Sequence, residues 1–244
     1  MIGKEEYIQK YITTDGGVDP VPYRWSHGAT DLHLGDGMLV YALVQHMRAK
    51  ECLCLGSGGG FIPRIITQAR RDLWEQGIFE GNNDDVWGDI GRTFVVDAVN
   101  GVGGCVSWVE PDSFFRKHFR PIFIKDTTEN AFYNFFILED IKLDFIHIDA
   151  GHSYEDVRRD FELYSTILSE NGIITLHDTD INYARSMVVP EDYKDTWDSF
   201  DGPGRFIHDL EKSGAWDVVN LCNYGIIPGK PSSTGLAIVK RHII

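Results

Sequence analysis

Cysteine is scarce in this sequence, and its placement argues against two common uses of the residue. Only 4 of the 244 residues are cysteines, and they do not show the paired spacing of a metal-binding motif or a disulfide framework. Cys52 and Cys54 lie two residues apart in an apolar run, so both side chains point to one face of a predicted strand. We interpret the cysteines as structural thiols.

Basic residues are outnumbered, and long apolar runs are missing. The chain has 23 Lys and Arg against 37 Asp and Glu, which gives a net charge of −14. Such a chain is repelled by the phosphates of nucleic acids and anionic membranes. No uninterrupted apolar run of about 18 residues and no basic-then-apolar leader is present. We therefore expect a cytoplasmic protein that binds neither nucleic acid nor membranes.

The sequence does contain enough apolar material for one large core. Its hydrophobic content of 43% and charged content of 25% are ordinary for a globular domain of this length. There is no internal repeat. The spacing of apolar residues predicts helices over about 5–12 and 37–50, before the first strand.

The stretch 143–179 is the most informative part of the chain. The apolar runs 143–148 and 173–176 predict two buried strands. Between them, apolar residues recur at three- and four-residue spacing, which predicts an amphipathic helix that starts after Ser153 and ends at 171–172. Such a crossover is almost always right-handed and makes its two strands parallel.

Histidines and acids follow both of these predicted strands. Asp149 and His152 come after the first, and His177 and Asp178 come after the second. Because parallel strands end at one edge of a sheet, we expect these side chains to lie close together. His152 and His177 are candidate general bases, since an unperturbed histidine has a pKa near ~6.5. Either could instead ligate a metal or cap a helix, while His147 inside the strand is interpreted as a core residue.

A glycine-rich turn follows an earlier predicted strand. Residues 52–55 run into Gly56, Ser57, Gly58, a further glycine and Gly60, directly before a predicted helix. Glycines let the backbone approach a ligand without a Cβ clash, and the free amides of a first helical turn supply hydrogen-bond donors. This arrangement suits a nucleotide or nucleoside cofactor. An ordinary tight turn is the alternative.

Two further strand ends carry polar residues. Asp97 follows the predicted strand 93–96 and could accept hydrogen bonds from the two hydroxyls of a ribose. A solvated turn aspartate is the alternative, because 41 residues separate it from Gly56 rather than about 20. Asp126 and Thr127 follow the predicted strand 121–125, where they could cap a helix or reach an adenine edge.

The order of these features resembles that of class I S-adenosylmethionine-dependent methyltransferases. The turn GSGGG, the Asp after the second strand and the segment FIHIDAGHSYEDVRRDFELYSTILSENGIITLHD carry the resemblance. It is greatest to the small-molecule O-methyltransferase branch with the signatures IDGxHxYExVxxD and GGxxxxHD, and it covers roughly residues 37–240. The resemblance implies a Rossmann-like, doubly wound α/β fold, with a seven-stranded, mostly parallel sheet and a C-terminal antiparallel hairpin.

The resemblance also implies roles for individual residues. It places Gly56, Ser57, Gly58 and Gly60 around the methionine part of the cofactor. It places Asp97 on the ribose.

Asp126 and Thr127 would then lie by the adenine. Macrocin-type and cephamycin-type relatives bind magnesium through acids at the ends of strands four and five, which correspond here to Asp149, His177 and Asp178. Asp149 also borders the cofactor. Because His177 is a less natural ligand for magnesium than for a transition metal, the metal could be magnesium or another divalent ion.

The resemblance further predicts how the rest of the chain is used. Residues 1–50 would supply helices and a loop that covers the cofactor, and 51–244 would form one globular unit. Trp25, Ser26 and His27 lie in this loop, where packing alone is the alternative to a lid.

An aromatic and acidic segment over 180–204 would shape the acceptor pocket, with four substrate-facing residues. These residues are Tyr183, Arg185, Tyr193 and Trp197. A surface loop or a contact in a homo-oligomer is the alternative.

Two departures from the family pattern bear on function. Cys54 replaces the acid usually found two residues before the first glycine, and Ala150 replaces the glycine after the strand-four Asp.

Taken with the resemblance, the sequence predicts an O-methyltransferase that acts on a hydroxyl of a small acceptor, sugar-containing molecules included. A nicotinamide (NAD(P))-dependent oxidoreductase and a catalytically idle cofactor-binding module of the same fold are the alternatives.

Overall fold

The computed structural model describes residues 2–78, 91–98, 109–182, 201–222 and 233–242. Residues 79–90, in the long segment between Gly56 and Asp97, lie outside these ranges, and so do the four aromatic and basic residues expected to face the acceptor. Within the described ranges, no helix combines the length and the apolar character that crossing a bilayer requires.

Seven strands form a single sheet with the order β3-β2-β1-β4-β5-β7-β6. The strands are β1 Glu51–Leu55, β2 Arg92–Val96, β3 Ile122–Ile124, β4 Leu143–Ile148, β5 Leu168–His177, β6 Trp216–Leu221 and β7 Leu236–Arg241. Strands β1 to β5 pair with one another in parallel. Strand β7 runs antiparallel to both β5 and β6. The predicted Rossmann-like sheet with its antiparallel C-terminal pair is confirmed.

Helices cover both faces of this sheet. The α-helices are α1 Glu5–Tyr7, α2 Asp36–Met47, α3 Phe61–Glu75, α4 Phe114–Phe119, α5 Thr128–Ala131, α6 Tyr154–Tyr164 and α7 Gly202–Ser213. Short π-helical segments at Ile8–Ile12 and Phe132–Phe136 extend α1 and α5, and 3-10 turns occupy Arg24–Ser26 and Ser165–Ile167.

Each face of the sheet has its own apolar core. On one face, residues of α2, α3, α4 and the N-terminal segment pack on β1, and Cys52 and Cys54 both belong to this core. On the other face, α6, α7 and the π-helical segment Phe132–Phe136 pack against β1, β2, β4, β5 and β7. Cys52 and Cys54 are buried free thiols. Their place in the same core confirms that they share one face of the sheet and serve as core residues.

One predicted boundary is wrong. The helix expected to reach 171 ends as an α-helix at Tyr164 and as a 3-10 turn at Ile167. Strand β5 already begins at Leu168, which pairs with Leu143 at the start of β4. An apolar residue at 168 fits the buried face of a helix and the buried face of a strand equally well. The apolar spacing therefore does not show where the helix ends and the strand begins.

The remaining boundaries differ little from the predicted ones. The N-terminal helices occupy 5–12 and 36–47 rather than 5–12 and 37–50, because Arg48 adopts a left-handed conformation that ends α2. The third strand covers 122–124 rather than 121–125. Ser153 caps α6 by accepting a hydrogen bond from the Asp156 amide at 3.1 Å, as expected from a helix that starts after this serine.

Candidate functional site

The glycine-rich turn lies directly against the end of β4. Gly56 has φ +74°, and a Cβ built on it would lie 2.0 Å from the carbonyl oxygen of Asp149. A Cβ on Gly59 would lie 2.2 Å from the carbonyl oxygen of Pro22. The turn after β1 is therefore enclosed between the strand end that carries Asp149 and the N-terminal loop, and only glycine fits at both positions.

Asp97, at the end of β2, reaches the same turn. Its Oδ2 accepts hydrogen bonds from the backbone amide of Ser57 at 3.1 Å and from the Ser57 hydroxyl at 2.6 Å. The residue is buried, so the alternative of a solvated turn aspartate is wrong. The structure brings Asp97 to the glycine turn in spite of the long segment between them.

Asp126 and Thr127 cap helix α5. The Asp126 carboxylate accepts hydrogen bonds from the Thr127 amide at 2.8 Å and the Asn130 side-chain amide at 3.0 Å. Thr127 Oγ1 accepts from the Asn130 backbone amide at 3.2 Å. The capping role is confirmed, and a contact with adenine stays a prediction.

Asp149, His152, His177 and Asp178 form one contiguous group, as the parallel strands predict. His177 Nδ1 lies 3.3 Å from Asp149 Oδ1 and 3.3 Å from Asp178 Oδ1. His152 Nε2 lies 2.6 Å from Asp178 Oδ2 and 3.8 Å from Asp149 Oδ1. Asp178 has φ +57°, a left-handed backbone conformation that is costly for a residue with a side chain and that concentrates at functional sites.

His177 is placed to hold the two carboxylates. It is 2% exposed, and its Nε2 lies 3.2 Å from the Ser26 carbonyl oxygen. Burial alone would lower the pKa of His177, but the charges of Asp178 and Asp149 outweigh it and raise the pKa well above the usual value. The pKa of Asp178 is held well below its usual value, against burial, by His177 and His152. In this arrangement Nδ1 of His177 lies between the two carboxylates and holds them together.

His152 differs from His177 in its access to solvent. One third of its side chain is exposed, against 1% for His177. Burial lowers the pKa of His152, but the hydrogen bond to Asp178 and the charges of Asp178 and Asp149 raise it above the usual value. His152 is therefore the histidine of the group that a molecule from solvent can reach.

His27 belongs to this group as well, and sequence reasoning missed it. It lies in the loop before α2, and its ring centroid is 3.9 Å from that of His177. Its Nε2 is 3.9 Å from Asp149 Oδ2. Burial, followed by the charge of His177, holds the pKa of His27 well below its usual value. The resemblance placed this histidine in a loop that covers the cofactor but not in the histidine–aspartate group, and no spacing rule relates a loop residue to a strand end 150 positions later.

Two other sequence interpretations concern residues beside the group. His147 is fully buried, and its Nδ1 lies 2.9 Å from Thr175 Oγ1, which confirms a core position. Cys54 donates from Sγ to the Gly56 carbonyl oxygen at 3.0 Å, and burial raises the pKa of its thiol. A neutral thiol thus hydrogen-bonds to the turn where the family usually has an acid.

Within the described ranges, the possible metal ligands form two sets. Asp149, His152 and Asp178 can offer ligand atoms within 4.8 Å of one another, and so can His27, Asp36 and His177. The sequence predicted Asp149, His177 and Asp178 as one set. In the structure His152 takes the third place beside the two acids, and His177 converges with the two residues from the N-terminal part of the chain.

The fold and the site together define a class of protein. A glycine turn after β1, an acid after β2 and polar residues after β4 and β5 line one edge of a sheet with a reversed β7, the arrangement of a Rossmann-like enzyme that binds a nucleoside cofactor. A family model supports this class. The chain belongs to the methyltransferase domain family, whose model matches residues 53–179.

Solved structures share the fold at low sequence identity. An O-methyltransferase from Bacillus cereus in complex with SAH is 14% identical, with a TM-score of 0.59 over 91% of this chain and 84% of that one. A putative O-methyltransferase from Klebsiella pneumoniae is 13% identical, with a TM-score of 0.60 over 91% and 86%. An O-methyltransferase of tomaymycin synthesis from Streptomyces achromogenes, in complex with SAM, is 12% identical, with a TM-score of 0.56 over 85% and 80%.

A curated relative is similar over a short stretch only. The uncharacterized protein y4gI of Sinorhizobium fredii is 39% identical over 44 residues, which are 18% of this chain and 5% of that protein. The matched stretch therefore spans only a small part of the length of this relative.

Proposed function

We propose that this protein is an S-adenosylmethionine-dependent O-methyltransferase that acts on a hydroxyl group of a small acceptor, sugar-containing molecules included. The observation that carries the proposal is the contact between the glycine turn and Asp149. This contact makes the cofactor turn and the histidine–aspartate group walls of one site. A methyl donor held by the turn would lie next to an acceptor held by the group.

The cofactor half of the site rests on the turn and Asp97. The backbone at Gly56 and Gly58 is left-handed, with φ +74° and +45°, a conformation that favours glycine. Because glycine has no side chain, a bound molecule can approach the backbone closely there. Asp97 Oδ2 is held by Ser57, which orients the carboxylate for the hydroxyls of a ribose. Solved structures of the same fold with SAH or SAM bound support this cofactor.

The acceptor half of the site needs a base and a positioning device. S-adenosylmethionine supplies a methyl group already activated as a sulfonium, so the protein must align the acceptor oxygen and help to remove its proton. His152 is the candidate base, because it is the exposed histidine of the group and Asp178 orients its ring at 2.6 Å. His177 is a positioning residue in this proposal, since its two nitrogens face Asp149, Asp178 and Ser26 rather than solvent.

A divalent cation fits the outer part of the same group. Asp149, His152 and Asp178 can offer one nitrogen and two carboxylate oxygens within 4.8 Å of one another. Two carboxylates suit a hard ion such as magnesium, and the imidazole favours a transition metal. A cation there would lower the pKa of an acceptor hydroxyl and orient it, and His152 would then serve as a ligand instead of a base.

Membership of the methyltransferase domain family favours this proposal over hydride transfer by a nicotinamide enzyme. The glycine turn supports the same choice. Gly60 is followed directly by Phe61, Ile62 and Pro63, so the third glycine of a dinucleotide fingerprint is missing. A catalytically idle binding module would have the same cofactor site, so only a measurement of turnover distinguishes it from an enzyme.

Calorimetric titration with S-adenosylhomocysteine, with and without magnesium, tests the cofactor half. The wild type should bind, and Asp97→Ala should lose binding because the two ribose hydrogen bonds disappear. Asp112→Ala is the matched control, since the Asp112 carboxylate is exposed and pairs with Lys117 at 3.1 Å. Absence of binding in the wild type, or equal binding by Asp97→Ala, would refute the assignment.

Methyl transfer to a panel of phenolic, catecholic and sugar hydroxyls tests the acceptor half. His152→Gln should lower turnover while cofactor affinity stays unchanged. Tight cofactor binding without turnover on any acceptor would favour the idle module. Turnover that depends on magnesium and collapses in Asp149→Asn would assign the outer group to a metal instead of a protein base.

A further inference from the structure

Three buried residues form a second cluster behind the site, and it shares His177 with the histidine–aspartate group. His27 lies in the N-terminal loop, Asp36 is the first residue of α2, and His177 is the last residue of β5. Their side chains can place ligand atoms within 4.8 Å of one another. Their exposures are 5%, 5% and 2%, so the cluster is closed to bulk water.

His27 carries a polar atom that the described part of the chain does not satisfy. Its Nδ1 is buried and has no hydrogen-bond partner among the described residues. Buried polar atoms in native proteins almost always have a partner, and the exceptions indicate a missing water or ion or a functional role. An imidazole nitrogen without a hydrogen bond is also the commonest protein ligand for transition metals.

The contact between His27 and His177 also favours a bound metal ion. Their ring centroids are 3.9 Å apart, and the ring planes are inclined by 33°. Two imidazolium rings at this distance would repel each other strongly, so at least one of the two rings is neutral and keeps a lone pair on a ring nitrogen. A single metal ion can serve both, because each neutral ring donates a lone pair to it.

We propose that His27, Asp36 and His177 form a buried site for a transition-metal ion of the zinc type. Two imidazole nitrogens and one carboxylate oxygen are a common zinc donor set. The Ser26 carbonyl oxygen and Thr234 Oγ1 each lie 3.2 Å from His177 Nε2, so further oxygen donors are at hand. The site differs from the outer group, where carboxylates predominate.

The elements that carry the ligands indicate what such an ion does. His27 and Asp36 belong to the N-terminal segment, whereas His177 ends a central strand of the sheet. The ion therefore fastens the N-terminal loop to the sheet. The same loop covers the glycine turn through Pro22, so the ion holds the covering loop in place without contacting cofactor or acceptor.

Metal titration of the full-length protein tests the proposal. The protein is stripped with a chelator and titrated with Zn²⁺ by calorimetry and with Co²⁺ by visible absorption. The wild type should bind at least one ion per chain and show the intense visible bands of a low-coordinate Co²⁺ site. His27→Gln and Asp36→Asn should each weaken this binding by at least about 100-fold, because changes to outer-shell residues alone cost 10- to 100-fold.

Two further variants separate this site from its surroundings. His147→Gln changes a neighbouring buried histidine whose ring centroid is 6.1 Å from that of His27, and His152→Gln changes the outer group. Both should keep the Zn²⁺ site. Circular dichroism establishes that each variant is folded, and S-adenosylhomocysteine binding reports on the proposed function separately.

Three results would overturn the proposal. The wild type could bind neither ion, or His27→Gln and Asp36→Asn could both bind as tightly as the wild type. Loss of the ion in His152→Gln with its retention in His27→Gln would assign it to the outer group. Asp36→Asn changes little in shape, so it carries the test if His27→Gln does not fold.

Discussion

Replacing Gly56 by alanine probes the contact on which the proposed site depends. The added Cβ would lie 2.0 Å from the Asp149 carbonyl oxygen, 2.5 Å from the Asp149 carbonyl carbon and 2.7 Å from Ala150 Cα. These are backbone atoms at the end of a central strand, so they cannot turn aside as a flexible side chain could. Either the glycine turn or the end of β4 must move.

The expected cost has two parts. A left-handed conformation costs an alanine about 1–2 kcal/mol relative to glycine. Forcing extra atoms into a packed site costs a further ~1–3 kcal/mol. We expect Gly56→Ala to lower the free energy of unfolding by about 2–5 kcal/mol and to abolish binding of S-adenosylhomocysteine, because the turn would no longer fit the ligand.

Gly77→Ala is the matched control. Gly77 follows α3 with φ +72°, and a Cβ there meets nothing within 4 Å. It therefore shares the conformational cost of Gly56 and the gain from a stiffer unfolded chain, but not the clash. Urea unfolding of both variants and of the wild type isolates the clash as a difference of about 1–3 kcal/mol.

Equal losses of stability in the two variants would show that the turn after β1 does not abut the end of β4. Retained cofactor affinity in Gly56→Ala would be equally damaging. In that case the shared wall between the cofactor turn and Asp149 would have to be given up, and the proposed juxtaposition of methyl donor and acceptor with it.

Three other predictions concern the cofactor turn and the core. Gly59→Ala should push the N-terminal loop from the turn, because its Cβ would lie 2.2 Å from the Pro22 carbonyl oxygen; calorimetry should find weaker binding of S-adenosylhomocysteine. Asp97→Asn should weaken that binding by about 10- to 100-fold, as hydrogen bonds to a charged group are worth about 1.5–3 kcal/mol. Burial raises the pKa of Asp160 to about 6 from 3.8, so ionised Asp160 destabilises the folded state. Unfolding of the wild type and Asp160→Asn from about pH 4 to about pH 7 should show the variant gaining about 2 kcal/mol relative to the wild type, and a constant difference would contradict this.

The sequence predicted the sheet well because its strands are buried and bounded by distinctive residues. The runs that became β1, β2 and β4 end at glycine or aspartate, and a parallel crossover leaves little freedom in where such ends meet. The family resemblance placed Asp97 at the ribose of a cofactor, and the structure brings it to Ser57 of the glycine turn.

Other features depended on packing that a pattern does not encode. Asp160 stands among charged residues in the sequence, yet it is buried and accepts a hydrogen bond from Thr128 Oγ1 at 2.5 Å. Glu155, on the same helix, pairs with Arg158 at the surface. His27 joins the site only because the N-terminal loop folds back over the sheet, which is a long-range contact without a local sequence signal.

The place of β7 in the sheet has a consequence for when the site comes into being. Residues 233–234 precede β7, and the Thr234 amide donates to the Ser26 carbonyl oxygen at 2.9 Å, while the Thr234 hydroxyl donates to Asp178. Leu236 then pairs with His177. Until these residues have folded, β5 is paired with β4 but not with β7, and Asp178 and the N-terminal loop lack this restraint. Assembly of the site therefore depends on β7 as well as on the strands that carry the site residues.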